Sequence, residues 1–495
     1  MTIGATARQQ RVSFTAPEYQ ADGTIRPARY GYAGSAGDGW EITREGRPHL
    51  RLGPGYRLLR TSHCGICATD LARRHLPFRL PQITGHEVVA IDDAQGAAVA
   101  VEINASHAAR GVAPAAWCSL CRAGLHTHCP ERIVLGIHDL PGGFAPWILA
   151  PVAAVVAIPD SVSAATATLI EPFAAAMHAV QTIAPADGAR VALLGPRRLG
   201  SLVIAALAAW RRSAARRIEI VAVTRRPELG PLARDLGADD VLMTDQADRM
   251  ENLADVVVDT TGNPAALPLA IRLARTEVHV KSTTGQQALG LAHLTEMVVD
   301  EISLCSWAAM DLDRAPSPPA RTAVVVGEGA AGLAEAELRA RGIEVFAGSD
   351  PGTLVERVEA GAALPLGGAD LAVVTSRDMI DAVIRPCPGR EHGLVRPRGA
   401  VYVMDVDQER DVLLAAVLGK GLRFTTSRCG DLRAAVELLA DPRLGLGETL
   451  GDRMVTDIIP APRLEDAFAR AAGADSIKVV AAQPHGMPLR KRSAG

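Results

Sequence analysis

The sequence predicts an all-β region followed by two doubly wound parallel α/β units. Three observations carry this. Between about residues 25 and 160, short β-branched runs such as "HEVVAIDD" and "AAVAVEIN" are broken by Gly, Pro and Asp. After Ser161 the texture changes: "ARVALLG" followed by "PRRLGSLVIAALAAWRR" reads as a buried strand turning into a helix, and further apolar runs alternate with helical stretches. The proline-rich break "DRAPSPPART" then resets the pattern, and a second strand-turn-helix begins at "TAVVVGEGAAGLAEAELRARG".

The order of elements in the two α/β stretches repeats. "ADVVVDTTG" at 254, "TEVHVKSTTG" at 276 and "EISLCSW" at 301 are echoed by "ADLAVVTSR" at 369, "GAVYVMDVD" at 399 and "GLRFTTSRCG" at 421, each about 120 residues later. The pattern fits one unit present twice; duplication and independent insertion leave the same trace. The tail "VTDIIPAPRLEDAFARAAGADSIKVVAAQ" has strand-helix-strand character and is expected to return to an earlier domain.

Composition narrows the function classes. A chain of 495 residues suggests about three domains. With a formal net charge of −3 there is no excess positive charge for phosphate backbones or anionic lipid, so no nucleic-acid or membrane partner is expected. The longest uncharged run, "GGFAPWILAPVAAVVAIP", is interrupted by Pro146, Pro151 and Pro159, which suits strands and turns. Of eight cysteines, five lie between Cys64 and Cys129, a clustering that points to metal or catalysis in a reducing cytoplasm and away from a disulfide framework.

The chemistry-bearing residues begin with "SHCGICATDLARRHLPFRLPQITGHEV". Catalytic zinc takes three ligands of Cys, His or carboxylate type and keeps one position open. The runs "GICATDL" and "ITGHEVV" resemble the zinc-binding signature of the medium-chain dehydrogenase/reductase superfamily, the zinc-dependent alcohol dehydrogenases, and the resemblance covers nearly all of the chain except the second α/β unit. It implies a GroES-like β catalytic domain (1–180, completed by 453–485), a Rossmann nucleotide-binding domain (181–312), a second Rossmann-like domain (320–450) and a tail (486–495).

The resemblance also implies the site. Cys67 and His86 would bind catalytic zinc, with Glu171 of "LIEPFAAAMHAV" as the remaining ligand and Glu87 as an alternating one. Thr69 would relay the alcohol proton, and Asp70 would orient the zinc-binding histidine. Residue 72 is Ala where the family often has a histidine, so proton exit would use water or another group. Cys64 forms a CxxC with Cys67 and is read as a packed thiol.

The stretch "WCSLCRAGLHTHC" has Cys118, Cys121 and Cys129 at the spacing of the family's structural zinc lobe, C-x2-C-x2-C-x7-C, with the first cysteine missing. Counting puts Ala115 there. Aligning "VEINASHAARGVAPAAWC" with the "EINLSCGRC" run of one branch puts His107 there instead, giving a Cys3His set of His107, Cys118, Cys121 and Cys129, with His126 and His128 as competitors.

In the first nucleotide-type unit, "LLGPRRLGSL" keeps Gly195 and Gly200 of G-x-G-x-x-G but has Arg197 in the middle, beside Leu199; an arginine there could itself bind phosphate. The next strand ends in Thr224, Arg225 and Arg226 without an acidic residue, which favours a 2'-phosphate and hence NADP over NAD. Thr261, Gly262, Lys281 and Ser282 match family strand ends that line the nicotinamide pocket. The second unit has the more regular motif, Gly327, Gly329 and Gly332 with Asp350 beyond, but no metal-ligand cluster accompanies it, so the first unit is favoured for cofactor.

The sequence therefore reads as a zinc-dependent, NAD(P)-dependent alcohol dehydrogenase acting on a small alcohol, aldehyde or ketone. Rival readings are a zinc-bearing homologue without cofactor turnover that serves as a binding or scaffold protein, and an isomerase with tightly held cofactor. Loops around 72–82, 107–117 and 138–148 would shape the substrate pocket. A second unit in the same chain could take the place of a partner's sheet edge, making an internal pseudo-dimer as an alternative to a homo-oligomer.

Overall fold

The computed structural model describes residues 9–487 apart from 77, 282–293, 311–319, 330, 362–365, 386–392, 406–408 and 410. It divides into two compact units, one formed by Met1–Ala175 with Cys429–Gly495, the other by Ala176–Arg428.

The first unit starts with a four-stranded antiparallel sheet, β1 (Gln10–Tyr19), β2 (Ile25–Ser35), β3 (Gly39–Arg44) and β4 (Arg47–Leu52), in sequence order. Alternation puts Tyr30, Tyr32, Trp40 and Ile42 into the core. The one buried carboxylate among them, Glu18, is fully partnered: Tyr30 Oη donates to it at 2.5 Å, and Arg44 Nε and Nη2 each at 2.6 Å. The long strand β5 (Tyr56–Gly65) then pairs with β6 (Glu87–Asp92) and with β8 (Trp147–Pro151), and β7 (Ala97–Val101) joins β6 to β9 (Val155–Ala157).

The second unit holds an eleven-stranded sheet among the described residues. The first half contributes β10 (Arg190–Leu194), β11 (Glu219–Thr224), β12 (Asp240–Met243), β13 (Ala254–Asp259) and β14 (Ala274–Val280), followed by β15 (Ser303–Ser306). The second half contributes β16 (Thr322–Val326), β17 (Glu344–Gly348), β18 (Ala369–Val374) and β19 (Val395–Val403), followed by β20 (Arg423–Thr426). Runs such as Val256 to Val258 and Val324 to Val326 are covered on both faces, as a parallel sheet flanked by helices requires.

The strand order is β12-β11-β10-β13-β14-β20-β15-β19-β18-β16-β17. Each half is thus closed by the other half's last strand: β20 pairs in parallel with β14, and β15 with β19. The two exchanged strands meet antiparallel at the middle, Leu304 opposite Phe424. No helix among the described residues is long and apolar enough to cross a membrane.

The stretches 181–312 and 320–428 lie in one compact unit, their strands joined in one sheet in which β15 and β20 are exchanged. The segment from Cys429 belongs to the first unit. Its helix Leu446–Met454 lies close on residues 161–166, and a side chain at Gly447 or Gly451 would strike the backbone there; Gly451 N–H donates to Thr166 Oγ1 at 2.8 Å. The tail then supplies β21 (Val455–Pro460) and β22 (Lys478–Ala482), and β22 pairs antiparallel with the end of β5.

Candidate active site and metal centres

β5 ends at Gly65, where a Cβ would collide with the Glu87 carboxylate, so only glycine fits between the strand and that side chain. The chain then turns into the short helix Ala68–Leu71 with Cys67 at its N-cap. Asp70, 1% exposed, ties this turn to the next segment. Its Oδ2 accepts from Cys67 N–H at 2.9 Å and its Oδ1 from Gly85 N–H at 3.1 Å, and Oδ1 lies 3.5 Å from Nδ1 of the buried His86. One carboxylate thereby ties both segments together and stands beside the histidine ring. Thr69 Oγ1 sits 3.7 Å from Cys67 Sγ.

Burial opposes charge on His86, yet Asp70 and the Cys67 sulfur carry the imidazole pKa well above its ordinary value. Glu171, in the first turn of the helix Ile170–Ile183, is pushed up to about 7, first by burial; His86 and Lys478 pull it back, Glu87 and Glu102 push further. These groups share one electrostatic neighbourhood. Cys67, His86 and Glu171 do not, however, close into a tight ligand cluster.

Three residues of this region carried no local signal. Lys478, on β22, is ion-paired with Glu87, 391 residues earlier. Glu102, raised first by burial, adds negative charge beside Glu171. Arg73, 1% exposed, donates to the carbonyls of Phe78, Arg79 and Ile137 and to Gln82 Oε1, so a buried cation pins two of the loops assigned to the substrate pocket. His75 is exposed and hydrogen-bonded to Arg74, and Cys64 is fully buried, its thiol raised first by that burial.

The second cluster is compact. Single ligand atoms of His107, Cys118, Cys121 and Cys129 all lie within 4.8 Å of one another. His107 Nδ1 faces Cys129 Sγ at 3.2 Å, while Nε2 meets Glu131 Oε2 at 3.1 Å. Burial and the neighbouring sulfurs push Cys121 up to about 12 and raise Cys129. Three thiols and an imidazole this close together form a donor set of the kind that holds a structural zinc. His126 instead packs edge-on against Trp117, His128 bonds Thr127 Oγ1, and Ala115 lies in an exposed turn.

In the first nucleotide-type half, Gly195 has φ +81°, and a Cβ on Gly200 would strike Gly195 O and Thr260 Oγ1. Both outer glycines are therefore required by the turn and by helix-on-strand packing. Arg197 is the N-cap of the helix Arg198–Ser213, within which Leu199 is half-buried. Thr224 Oγ1 accepts from Arg226 N–H at 3.0 Å, Arg226 pairs with Glu228, and Arg225 is exposed. Thr261 bonds Asp259, and Gly262 has φ +64°. Lys281 is 4% exposed, its ammonium directed at Ser427 and the Arg428 carbonyl; Ser282 lies outside the described residues.

In the second half Gly327 matches Gly195, with φ +134° and a Cβ there striking Thr375, whereas Gly329 and Gly332 face open space. Asp350 accepts from Thr353 N–H at 2.8 Å, capping the helix Pro351–Gly361. Its acidic residue serves the local fold.

Comparison with known proteins agrees with this geometry. Residues 53–160 match the Alcohol dehydrogenase GroES-like domain family. The chain is 32% identical to L-galactonate-5-dehydrogenase of Escherichia coli K12 over 237 residues, 45% of this chain and 67% of that protein. It is 27% identical to sorbitol dehydrogenase of Bacillus subtilis 168, covering 44% and 65%, and 30% identical to L-threonine 3-dehydrogenase of Rhizobium johnstonii, covering 43% and 61%. The chain thus spans roughly two thirds of the length of these relatives.

Among solved structures, the fold is similar to L-idonate 5-dehydrogenase of Escherichia coli K-12, with TM-score 0.56 and 15% identity over 96% of this chain and 100% of the other. It is also similar to a zinc-binding dehydrogenase of Sinorhizobium meliloti 1021 bound to NADP, with TM-score 0.53 and 19% identity over 95% and 99%. With the matching catalytic domain, the two-thirds coverage of a 32% identical dehydrogenase and the shared fold, the chain belongs to the alcohol dehydrogenase-like medium-chain dehydrogenase/reductase superfamily.

Proposed function

We propose that the protein is a zinc-dependent oxidoreductase that transfers a hydride between a small alcohol or its carbonyl counterpart and a nicotinamide cofactor. The observation that carries this reading is Asp70, which binds the Cys67 turn and the Gly85–His86 segment together and faces the His86 ring. Such a carboxylate orients a metal-binding histidine and fixes its tautomer.

Cys67, His86 and Glu171 would hold the catalytic zinc. Zinc, when bound, supplies Lewis acidity at the substrate oxygen, and nicotinamide supplies the hydride acceptor. The chain's own groups do the rest. Thr69, beside the Cys67 sulfur, is placed to take the hydroxyl proton of an alcohol. Glu87 is held by Lys478 in the free site and stands next to His86 as an alternating ligand. Arg73 keeps the loops around 78–82 and 137 in place, so the pocket they shape is fixed before substrate arrives.

His107, Cys118, Cys121 and Cys129 would hold a second, structural zinc, with Glu131 on the outer nitrogen of His107. The first nucleotide-type half is the one we assign to the cofactor, because its glycines serve the tight turn and close packing while Asp350 of the second half is used as a cap. NADP is the cofactor we favour: exposed Arg225 follows a strand without an acidic end, although Arg226 is partly neutralised by Glu228.

Zinc analysis combined with site variants tests the assignment. Wild type should hold two zinc ions per chain, and Cys67→Ala should hold only the structural one. Equal zinc in both would refute the catalytic centre.

A further inference from the structure

The arm that closes the first nucleotide-type half comes from beyond the second half, and it arrives with a specific set of polar side chains. On β14 and just past its end, Glu277, His279 and Lys281 alternate along one face; each is at most 4% exposed. From β20 and its end come Thr425 and Ser427, equally buried. Thr425 Oγ1 donates to Glu277 Oε1 and lies 2.8 Å from His279 Nδ1. Ser427 Oγ lies 2.9 Å from His279 Nε2, and Lys281 Nζ donates to Ser427 O at 2.9 Å and Ser427 Oγ at 3.1 Å. Burial, then Lys281, holds the His279 imidazole far below its ordinary pKa. It is neutral, and because Thr425 donates its one hydroxyl hydrogen to Glu277, Nδ1–H donates to Thr425 Oγ1 and Nε2 accepts from the Ser427 hydroxyl.

The other arm could not do this. Register makes β15 the counterpart of β20: Thr425 stands opposite His279 as Cys305 stands opposite Tyr402. Placed on β14, the arm of β15 would offer the Cys305 thiol and the Trp307 indole where Thr425 and Ser427 now lie. A thiol is a weak acceptor and an indole accepts nothing, so His279 Nδ1–H would lose the Thr425 hydroxyl and Lys281 the Ser427 hydroxyl without an equivalent acceptor in their place. The buried ladder therefore favours the exchanged pairing over the alternative.

The ladder also leads somewhere. β14 and β20 run parallel, so Lys281 and Ser427 both lie just past carboxyl ends, the edge at which open α/β sheets bind their ligands. We propose that the second nucleotide-type half serves to deliver this arm, and that Ser427 is a positioning residue that holds Lys281 at the cofactor edge of the first half. The positioning role rests on the assignment of the cofactor to the first half; the selection of the arm does not.

Two measurements on the full chain test the two parts. Val280 pairs with Thr426 across β14 and β20, and Ser306 is the β15 counterpart of Thr426. In mild oxidant, Val280→Cys with Thr426→Cys should form a disulfide detectable by peptide mass spectrometry, whereas Val280→Cys with Ser306→Cys should not; the reverse outcome overturns the exchanged arm. Fluorescence titration with NADPH and NADH should show Ser427→Ala binding roughly tenfold more weakly than wild type, with Ser427→Thr restoring most of the loss. Equal affinity in wild type and Ser427→Ala overturns the positioning role. Absence of binding in wild type itself overturns both that role and the cofactor assignment, and leaves the disulfide result to decide the arm.

Discussion

Lys478, on the last strand of the chain, is ion-paired with Glu87, the neighbour of the metal-type ligand His86. Both side chains are at most 5% exposed. The pair joins β22 to the segment that carries His86.

Breaking that pair should cost more than removing it. Lys478→Met leaves a buried carboxylate without its cation and is expected to destabilise the protein by about 3–5 kcal/mol. The double variant Lys478→Met with Glu87→Gln should recover much of this. Denaturant unfolding followed by tryptophan fluorescence compares the three proteins; a double variant no more stable than the single one would contradict the pairing.

The lobe around His107 makes a separate prediction about metal affinity. Glu131 meets the nitrogen that points away from the sulfurs, and loss of such an outer carboxylate typically weakens metal binding by roughly 10–100-fold. Glu131→Gln should lower zinc affinity in chelator competition while zinc stoichiometry at saturation stays that of wild type. His107→Ala should lose the structural ion altogether. Retention of that ion by His107→Ala would remove the histidine from the ligand set.

Acid stability should depend on Asp370 in the sheet of the second unit. Burial alone would raise its pKa, but backbone N–H groups of Arg321 and Thr322 and the fully buried Arg396 hold it below its ordinary value of 3.8. A carboxylate depressed in the folded state contributes stability above its unfolded pKa and loses it as pH falls through the folded one. The contribution is therefore complete only well above 3.8, begins to fall as pH nears that value, and is gone once pH lies below the lowered folded pKa. Asp370→Asn should flatten the stability profile in that acid range, measured by unfolding at a series of pH values; an unchanged slope would show that Asp370 is not a contributor.

These predictions separate what local sequence could carry from what it could not. The C-x2-C-x7-C spacing located the lobe because its ligands sit on one short loop, and His107 was found by aligning the run before it. "GHE" and "ICATD" were legible for the same reason. The Glu87–Lys478 pair was not, since nothing near "SIKVV" indicates a partner 391 residues away.

The exchange of β15 and β20 was equally hidden. Both are four-residue strands, "SLCS" and "RFTT", and periodicity says that each is buried without saying beside which neighbour. The duplicated order is compatible with units that stand apart or share a sheet edge, and it does not indicate that β20 pairs with β14 and β15 with β19. Lys281 shows the same limit: strand-end position suggested a cofactor wall, while its ammonium is directed at Ser427. The helix-forming pattern of 429–450 does not say which unit it packs on; Gly447 and Gly451 permit its close approach to residues 161–166 of the first unit.

The central claim, hydride transfer with a nicotinamide cofactor held by the first half, is tested most directly by titrating the zinc-loaded protein with NADPH and NADH while following fluorescence. Saturable binding is predicted, tighter for NADPH and weakened in Arg225→Ala. No saturable binding of either dinucleotide would contradict the claim.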